Sequence, residues 1–375
     1  MTGVRKKIAV LPGDGIGPEV IHGAISVLDE CARSFSHHFD FRELPFGGAA
    51  IDQCGHPLPA ETLESCREAD AVLLGAVGGA KWDSQPLDRR PEAGLLGLRK
   101  ELGLYINVRP VKLFEPLREI SPLRVEKGST IDLEIVRELA GGIYFGPRQS
   151  GGEGAEEFVS DTEIYSVREI ERVALYAFRR AAARRGQLAS IDKANVLASS
   201  GLWRRTVQRI AKDFPEVTVE SLYVDNAALQ ILLRPSQFDV MLTSNMFGDI
   251  LSDEAAGVVG SIGLIPSMSL GNGTALYEPI HGSAPQLAGK DCANPIGTIL
   301  CAAMMLRESF GLATEAAAIE RAVAHALSRG YRTPDIASSG AKSGVQIVGC
   351  AEMSARIRAA LSESLSETER YGWGV

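Results

Sequence analysis

From Lys7 onward, short apolar runs alternate with segments of helical period, and that alternation restricts the possible folds more than any other feature of the chain. IAVLP reads as a buried strand. PEVIHGAISVLDECARSF reads as a helix, with Val20, Val27, Leu28 and Cys31 on one face and Pro18 in the first turn. FDFREL, the helical AETLESCREA and the strongly apolar DAVLLGAV follow. LASIDKANVLA, VTVESLYV and FDVMLTSNM read as further strands separated by helices, and ANPIGTILCAAMMLRESFG as a buried helix. Such alternation implies an α/β chain whose parallel strands are joined by crossover helices. A length of 375 residues suits two domains, or one large domain with a split core. GPRQSGGEGAEE, residues 146–157, reads as a polar glycine-rich loop without packing potential.

Charge and cysteine usage narrow the classes further. A net charge of −8 argues against a nucleic-acid partner, and any anionic substrate must then be captured by local arginines. Cys31, Cys54, Cys66, Cys292, Cys301 and Cys350 show no paired metal spacing and read as free, mostly buried thiols of a reducing compartment. The first strand begins almost at once, which leaves no room for a targeting segment. No apolar run approaches the roughly 20 residues needed to cross a bilayer. The expectation is a cytoplasmic chain with no membrane association. Arg179, Arg180, Arg184 and Arg185, at the end of the helix after Ser166, complement its dipole and read as structural.

Four patterns carry chemistry. In FGDILSD, Asp249 and Asp253 lie four residues apart in a helical run, so both carboxylates point from one face. Two like charges held together need a cation, and oxygen ligands without His or Cys suit Mg²⁺ or Mn²⁺; on spacing alone, two solvated acids fit equally well. In LPGDGIGPEV, Gly13, Gly15 and Gly17 invite a Rossmann phosphate loop with an acid near Asp40, but the spacing is GxGxG and a structural turn is as common. EPIHGSAPQLAGKDCANP places His281, Gly282, Ser283 and Ala284 in a small-residue loop shaped for close approach to a ligand. Arg99, Arg109 and Arg137 each adjoin apolar sequence; singly each suits an internal salt bridge, and together they suggest a substrate with two or more carboxylates. Tyr144 and Lys193, at the ends of strand-like segments, are either buried hydrogen-bonding residues or proton-transfer groups.

LPGDGIGPEV, LLGLRKELGLY, NVRP, VRELAGGIYFG, DKANVL, YVDNAA, FGDILSDEA and EPIHGSAP with Asn294 occur in one order across nearly the whole chain. In this the chain resembles the isocitrate/isopropylmalate β-decarboxylating dehydrogenases. The resemblance implies a two-domain α/β fold that is not Rossmann, with parallel or mixed sheets flanked by helices, and with residues 1–104 plus 260–375 as the dinucleotide-binding domain. Residues 105–259 would form the substrate and metal domain, carrying an arm for dimerisation. It implies NAD as cofactor, held by Ile16, Gly78, Gly79, Glu92, Glu278, His281, Gly282, Ser283, Ala284, Gln286 and Asn294. Asp249 and Asp253 would bind Mg²⁺ or Mn²⁺, with Asp225 and Lys193 reaching over from a partner subunit of a homodimer with shared active sites. Arg99, Arg109 and Arg137 would hold the carboxylates of a substituted malate, and Leu95, with Leu96 nearby, its apolar substituent. Lys193 would act as base and Tyr144 as proton donor. NAD-dependent members of the family carry aspartate after HGSAP, where this chain has Gln286, so NAD with weakened discrimination against NADP is expected. Leu95 and Leu96 disfavour a third substrate carboxylate, whereas a malate with another alkyl or aryl substituent stays compatible. Intact Tyr144, Lys193 and metal aspartates disfavour a silent regulatory subunit.

Overall fold

The computed structural model describes residues 3–124, 129–338 and 344–371. The chain divides into two compact units, one of Met1–Gly103, Phe114–Pro122 and Gly260–Val375, the other of Leu104–Leu113 and Leu123–Val259. Each is α/β, as the alternation of strands and helices requires. Among the described residues no helix is long and apolar enough to cross a membrane.

In the first unit the strand order is His38–Glu43, Arg5–Gly13, Ala71–Ala76, Leu276–Pro279, Pro266–Gly271. The first four run parallel and the last is antiparallel to its neighbour. Ala71–Ala76 is buried at every position, which explains its unbroken apolar sequence. The helix Gly17–Phe35 packs against Ile296–Glu308 and Cys350–Tyr371. Every residue from Ile296 to Leu306 is buried, so that helix is apolar all round.

In the second unit the order is Leu104–Lys112, Asp132–Glu138, Val240–Thr243, Gln187–Asp192, Thr218–Tyr223, with only the first pair antiparallel. Ser166 starts the helix Val167–Ala182 through a capping box with Glu169. At its far end Arg180 donates to Glu134 at 2.6 Å, and Arg184 to Asp239 at 2.7 Å and Asp132 at 2.8 Å. Part of the arginine cluster is thus structural, but it answers three acids of the sheet rather than the helix dipole alone.

The structure differs from the sequence reading in three places. Phe114–Pro122 belongs to the first unit, because Leu117 is fully buried there and Arg332 donates to the Pro116 carbonyl at 2.8 Å. The glycine-rich stretch at 146–157 is not simply a loop: Arg148–Gly151 pairs antiparallel with Phe158–Asp161, and Gly152 and Gly154, both at positive φ, reverse the chain between them. Backbone pairing of this kind needs no apolar core, so composition alone did not reveal it. Finally, Tyr144 does not sit at the end of a strand, whereas Lys193 does come directly after one. Tyr144 ends the short 3-10 turn Gly142–Tyr144, and Lys193 follows Gln187–Asp192, where the Asp192 carboxylate accepts the Ala194 N–H and turns the chain.

Candidate functional site

In the second unit the site is built where two antiparallel strands meet one helix. Arg137 lies opposite Asn107 in the strand register and Arg109 is two residues further along, so all three side chains share one face. That face meets the helix Asn245–Val258, which carries Asp249 and Asp253 one turn apart. Close approach depends on Gly248, where a Cβ would come within 2.8 Å of the Arg137 stem. Arg137 and Arg109 are nearly inaccessible, at 3% and 8%, so they need anionic partners. Both find Asp249: Arg137 Nη1 bonds Oδ1 directly, and Arg109 Nη2 lies 3.3 Å from the same oxygen. Arg109 Nη1 donates to Ser252 Oγ at 2.6 Å and lies 3.6 Å from Asp253. Tyr144 donates its hydroxyl to Asp249 Oδ2 at 3.0 Å.

Asn245 ties this cluster together, and no sequence pattern singled it out. Its Oδ1 accepts from Arg137 Nε at 2.9 Å, and its Nδ2 donates to the carbonyls of Leu139 and Gly141. The same turn is folded back by buried Glu138, whose carboxylate accepts the N–H groups of Ala140 and Gly141. The turn delivering Tyr144 is therefore coupled to the arginine beside Asp249. Asn107 plays the equivalent part for Arg109, accepting from Nε at 2.8 Å.

Charge in the cluster is divided unevenly. Burial pushes the Asp249 carboxyl up, but Arg137 and Arg109 outweigh it and hold the group below the usual carboxylate value. At Asp253 burial prevails over Arg109, helped by the charge of Asp249, and its carboxyl lies above that value. Burial, and then Asp249, push the Tyr144 phenol up, so it keeps its proton at neutral pH and stays a donor. Asp249 and Asp253 offer hard oxygen atoms, and the Asp253 side chain is 58% exposed, so this pair fits Mg²⁺ or Mn²⁺. The structure does not gather Asp225 with them. Asp225 lies in the first turn of the helix Val224–Leu233 and accepts from Lys193 Nζ at 2.5 Å.

The first unit brings several of the expected cofactor residues together around a residue the sequence did not flag. The buried Asp14 carboxylate accepts the N–H groups of Gly48, Ala49 and Gly78, each at 2.8 Å. Ser283 Oγ donates to the Gly78 carbonyl at 2.7 Å, and Ile16 N–H to the Ser283 carbonyl at 2.8 Å. Gly13 and Gly15 serve this arrangement, since a Cβ at either would lie within 2.0 Å of the Ala76 or Ser283 carbonyl oxygen. The glycines thus allow close chain packing, and Asp40 is paired with Arg5. His281 is buried, not a surface residue. Its Nδ1 lies 3.0 Å from the Gly282 carbonyl, which places the proton there and leaves Nε2 an acceptor without a partner. Burial pushes its pKa down, so the ring is neutral at pH 7. A buried, unpaired acceptor beside open Gly282 fits an amino group of a nucleotide base.

The other expected residues are placed as follows. Asn294 donates to Asp335 at 3.0 Å and accepts the Ile296 N–H at 3.0 Å, which is a structural use of its side chain. Gln286 is exposed. Glu92 lies in the first turn of the helix Pro91–Glu101, exposed, and a Cβ on Gly78 would stand 2.5 Å from its Oε1. Gly79 precedes the short turn Ala80–Trp82. Leu95 and Arg99 are four apart on Pro91–Glu101 and so share a face; Leu95 and Leu96 are half-buried. Arg99 Nη2 donates to Glu278 Oε1 at 2.5 Å, while its buried Nε has no partner among the described residues.

The chain matches the isocitrate/isopropylmalate dehydrogenase family over residues 7–357. It is 56% identical over 358 residues to the 3-isopropylmalate dehydrogenase of Moorella thermoacetica, covering 95% of this chain and 99% of that one. It is 54% identical over 349 residues to the 3-isopropylmalate dehydrogenase of Bacillus subtilis, covering 92% and 95%. Among solved structures, isocitrate dehydrogenase from Methylococcus capsulatus superposes with a TM-score of 0.84 at 33% identity, covering 95% of this chain and 99% of that one.

Proposed function

Because the chain belongs to the isocitrate/isopropylmalate dehydrogenase family, we propose that it catalyses the NAD-dependent oxidative decarboxylation of 3-isopropylmalate to 4-methyl-2-oxopentanoate, in leucine synthesis, with Mg²⁺ or Mn²⁺. The observation that carries this reading is the convergence of Arg109, Arg137 and Tyr144 on Asp249, one helical turn from Asp253. Buried guanidiniums beside a hard-oxygen pair suit a hydroxy diacid. The half-buried hydrocarbon of Leu95 and Leu96 favours an alkyl substituent over a third carboxylate.

When bound, NAD⁺ would serve as hydride acceptor and a divalent ion would supply positive charge to stabilise the oxyanion that develops on the substrate. Asp249, Asp253 and the Asp225 of a second copy of the chain would hold the ion. Arg109 and Arg137 exchange part of their hold on Asp249 for substrate carboxylates. Arg99 has a spare Nε donor for the same purpose. Lys193 accepts the hydroxyl proton as the hydride leaves, and the C3–carboxylate bond then breaks to release CO₂. Tyr144, protonated at neutral pH, delivers its proton to C3. Ile16, Gly78, Gly79, Glu92, Glu278, Gly282, Ser283, Ala284 and Asn294 form the dinucleotide site, with His281 Nε2 accepting from the adenine.

The shared site belongs to the same proposal. Leu229, Leu232 and Leu233 on Val224–Leu233, and Ile250 on the helix packed against it, are between 44% and 64% exposed, and on the hairpin Phe158 is 53% and Val159 72% exposed. A second copy of the chain would cover them. A cytoplasmic location completes the reading.

Gln286 sets the cofactor preference. Its amide offers a ribose hydroxyl one acceptor but no charge to repel a 2′-phosphate. Gln286→Asp should therefore raise the NAD/NADP ratio of kcat/KM by about tenfold or more. Steady-state kinetics with both cofactors checks this, and a native chain that strongly prefers NADP would remove NAD from the proposal. The parent reading is tested by turnover on a panel of 3-substituted malates.

A further inference from the structure

We propose that Glu19, Asp291 and Cys350, in the first unit, form a second cation site that takes a borderline divalent ion of the zinc type. A ligand atom from each lies within 4.8 Å of the others. The three line a cavity of about 480 Å³, together with His22 and Arg358. None of them belongs to the clusters described above.

The arrangement leaves donors unused. Glu19 Oε1 accepts the Gly289 N–H at 2.5 Å, whereas Oε2 is buried and has no hydrogen-bond partner among the described residues. Asp291 uses Oδ1 to accept the Ala351 N–H at 2.8 Å. Cys350 is only 2% exposed, and its sulfur has no hydrogen-bond partner among the described residues. Nor does either carboxylate form an ion pair among the described residues, although Arg358 lines the same cavity. A buried carboxylate oxygen without a donor is costly, and a second carboxylate beside it adds repulsion. One bound cation removes both penalties.

The donor set selects the class of ion. A thiolate with two carboxylates is too soft for Mg²⁺ or Ca²⁺ and suits Zn²⁺ or its analogues. His22 follows Glu19 by three residues on Gly17–Phe35, on the same helix face, and lines the same cavity. Binding forms a sulfur–metal bond and releases the thiol proton to solvent. The ion would join three segments: the start of Gly17–Phe35, the loop at Gly289 and Asp291, and the first turn of Cys350–Tyr371. Cys350 also packs with Ile16, Val20 and Ala293, against which Ala284 and Leu287 rest, so the ion would stiffen the loop assigned above to the dinucleotide. That consequence rests on the proposed function; the site itself does not.

The test titrates the whole chain with Co²⁺ under saturating Mg²⁺, following the sulfur-to-cobalt charge-transfer absorption. The native chain should develop this band to one ion per chain, and Zn²⁺ should abolish it. Cys54→Ser, which removes the exposed thiol, should retain it, and Cys350→Ser should lose it. Glu19→Gln should weaken Co²⁺ binding roughly tenfold or more. Absence of the band in the native chain, or its persistence in Cys350→Ser, overturns the site. Should Cys350→Ser not fold, unchanged Co²⁺ affinity in Glu19→Gln overturns it equally.

Discussion

Asp249→Asn should lower kcat/KM for the substituted malate by about 10³-fold, because electrostatic stabilisation of this kind is worth several kcal/mol. It should also destabilise the fold. Arg137 and Arg109 are almost fully buried and Asp249 is the anion on which both converge, so the neutral amide leaves two guanidiniums poorly compensated. The expected cost is about 1–3 kcal/mol, at the low end because Asp249 is 37% exposed. Asp253→Asn is the informative contrast. That side chain is more exposed and lies 3.6 Å from Arg109, so its loss should change stability by less than about 0.5 kcal/mol while still weakening the metal requirement. Steady-state rates and thermal denaturation of the two variants separate the roles. An Asp249→Asn enzyme within tenfold of the native rate would remove this residue from the centre of the site.

Lys193→Ala and Tyr144→Phe should each reduce kcat by about 10²–10⁴-fold, the usual range for a positioned acid or base. The stronger expectation concerns their mixture. Lys193 and Asp225 contact each other away from the Asp249 cluster, and we propose that they serve the site of a second copy. A hybrid dimer of the two variants would then contain one intact site and one doubly defective site. Refolding equal amounts together should restore roughly a quarter of native activity, since about half the dimers are hybrids with one working site each. Activity that stays at the level of the separate variants would mean that each chain builds its own complete site.

Charged side chains embedded in apolar runs were readable before folding, and Arg109, Arg137, Asp249 and Asp253 do meet in one cluster. The residues that hold them there were not readable. Asn107, Asn245, Glu138 and Asp14 are single polar residues whose importance comes from which distant backbone groups they bond, and local sequence carries no record of that. Gly13 and Gly15 were visible but their purpose was not. They suggested a phosphate cradle, whereas their lack of a Cβ admits the carbonyls of Ala76 and Ser283. Gly248 belongs to the same class, its need arising from an arginine on another strand. The hairpin at Arg148–Gly151 and Phe158–Asp161 escaped because a two-stranded ribbon, held by backbone bonds and the Arg148–Asp161 ion pair, lacks the apolar alternation that marks a half-buried strand. The antiparallel strand Pro266–Gly271 was hidden for a different reason, since strand direction is set by connection geometry.

As proposed above, the Asp249 cluster oxidises and decarboxylates a malate bearing an alkyl group. The direct measurement follows NADH formation by the purified chain with 3-isopropylmalate and NAD⁺, in the presence of Mg²⁺ or Mn²⁺ and then of excess chelator. The account predicts steady turnover that stops on chelation, resumes when metal is restored, and exceeds the rate with isocitrate by orders of magnitude. Turnover that is indifferent to the chelator, or faster with isocitrate, would contradict it.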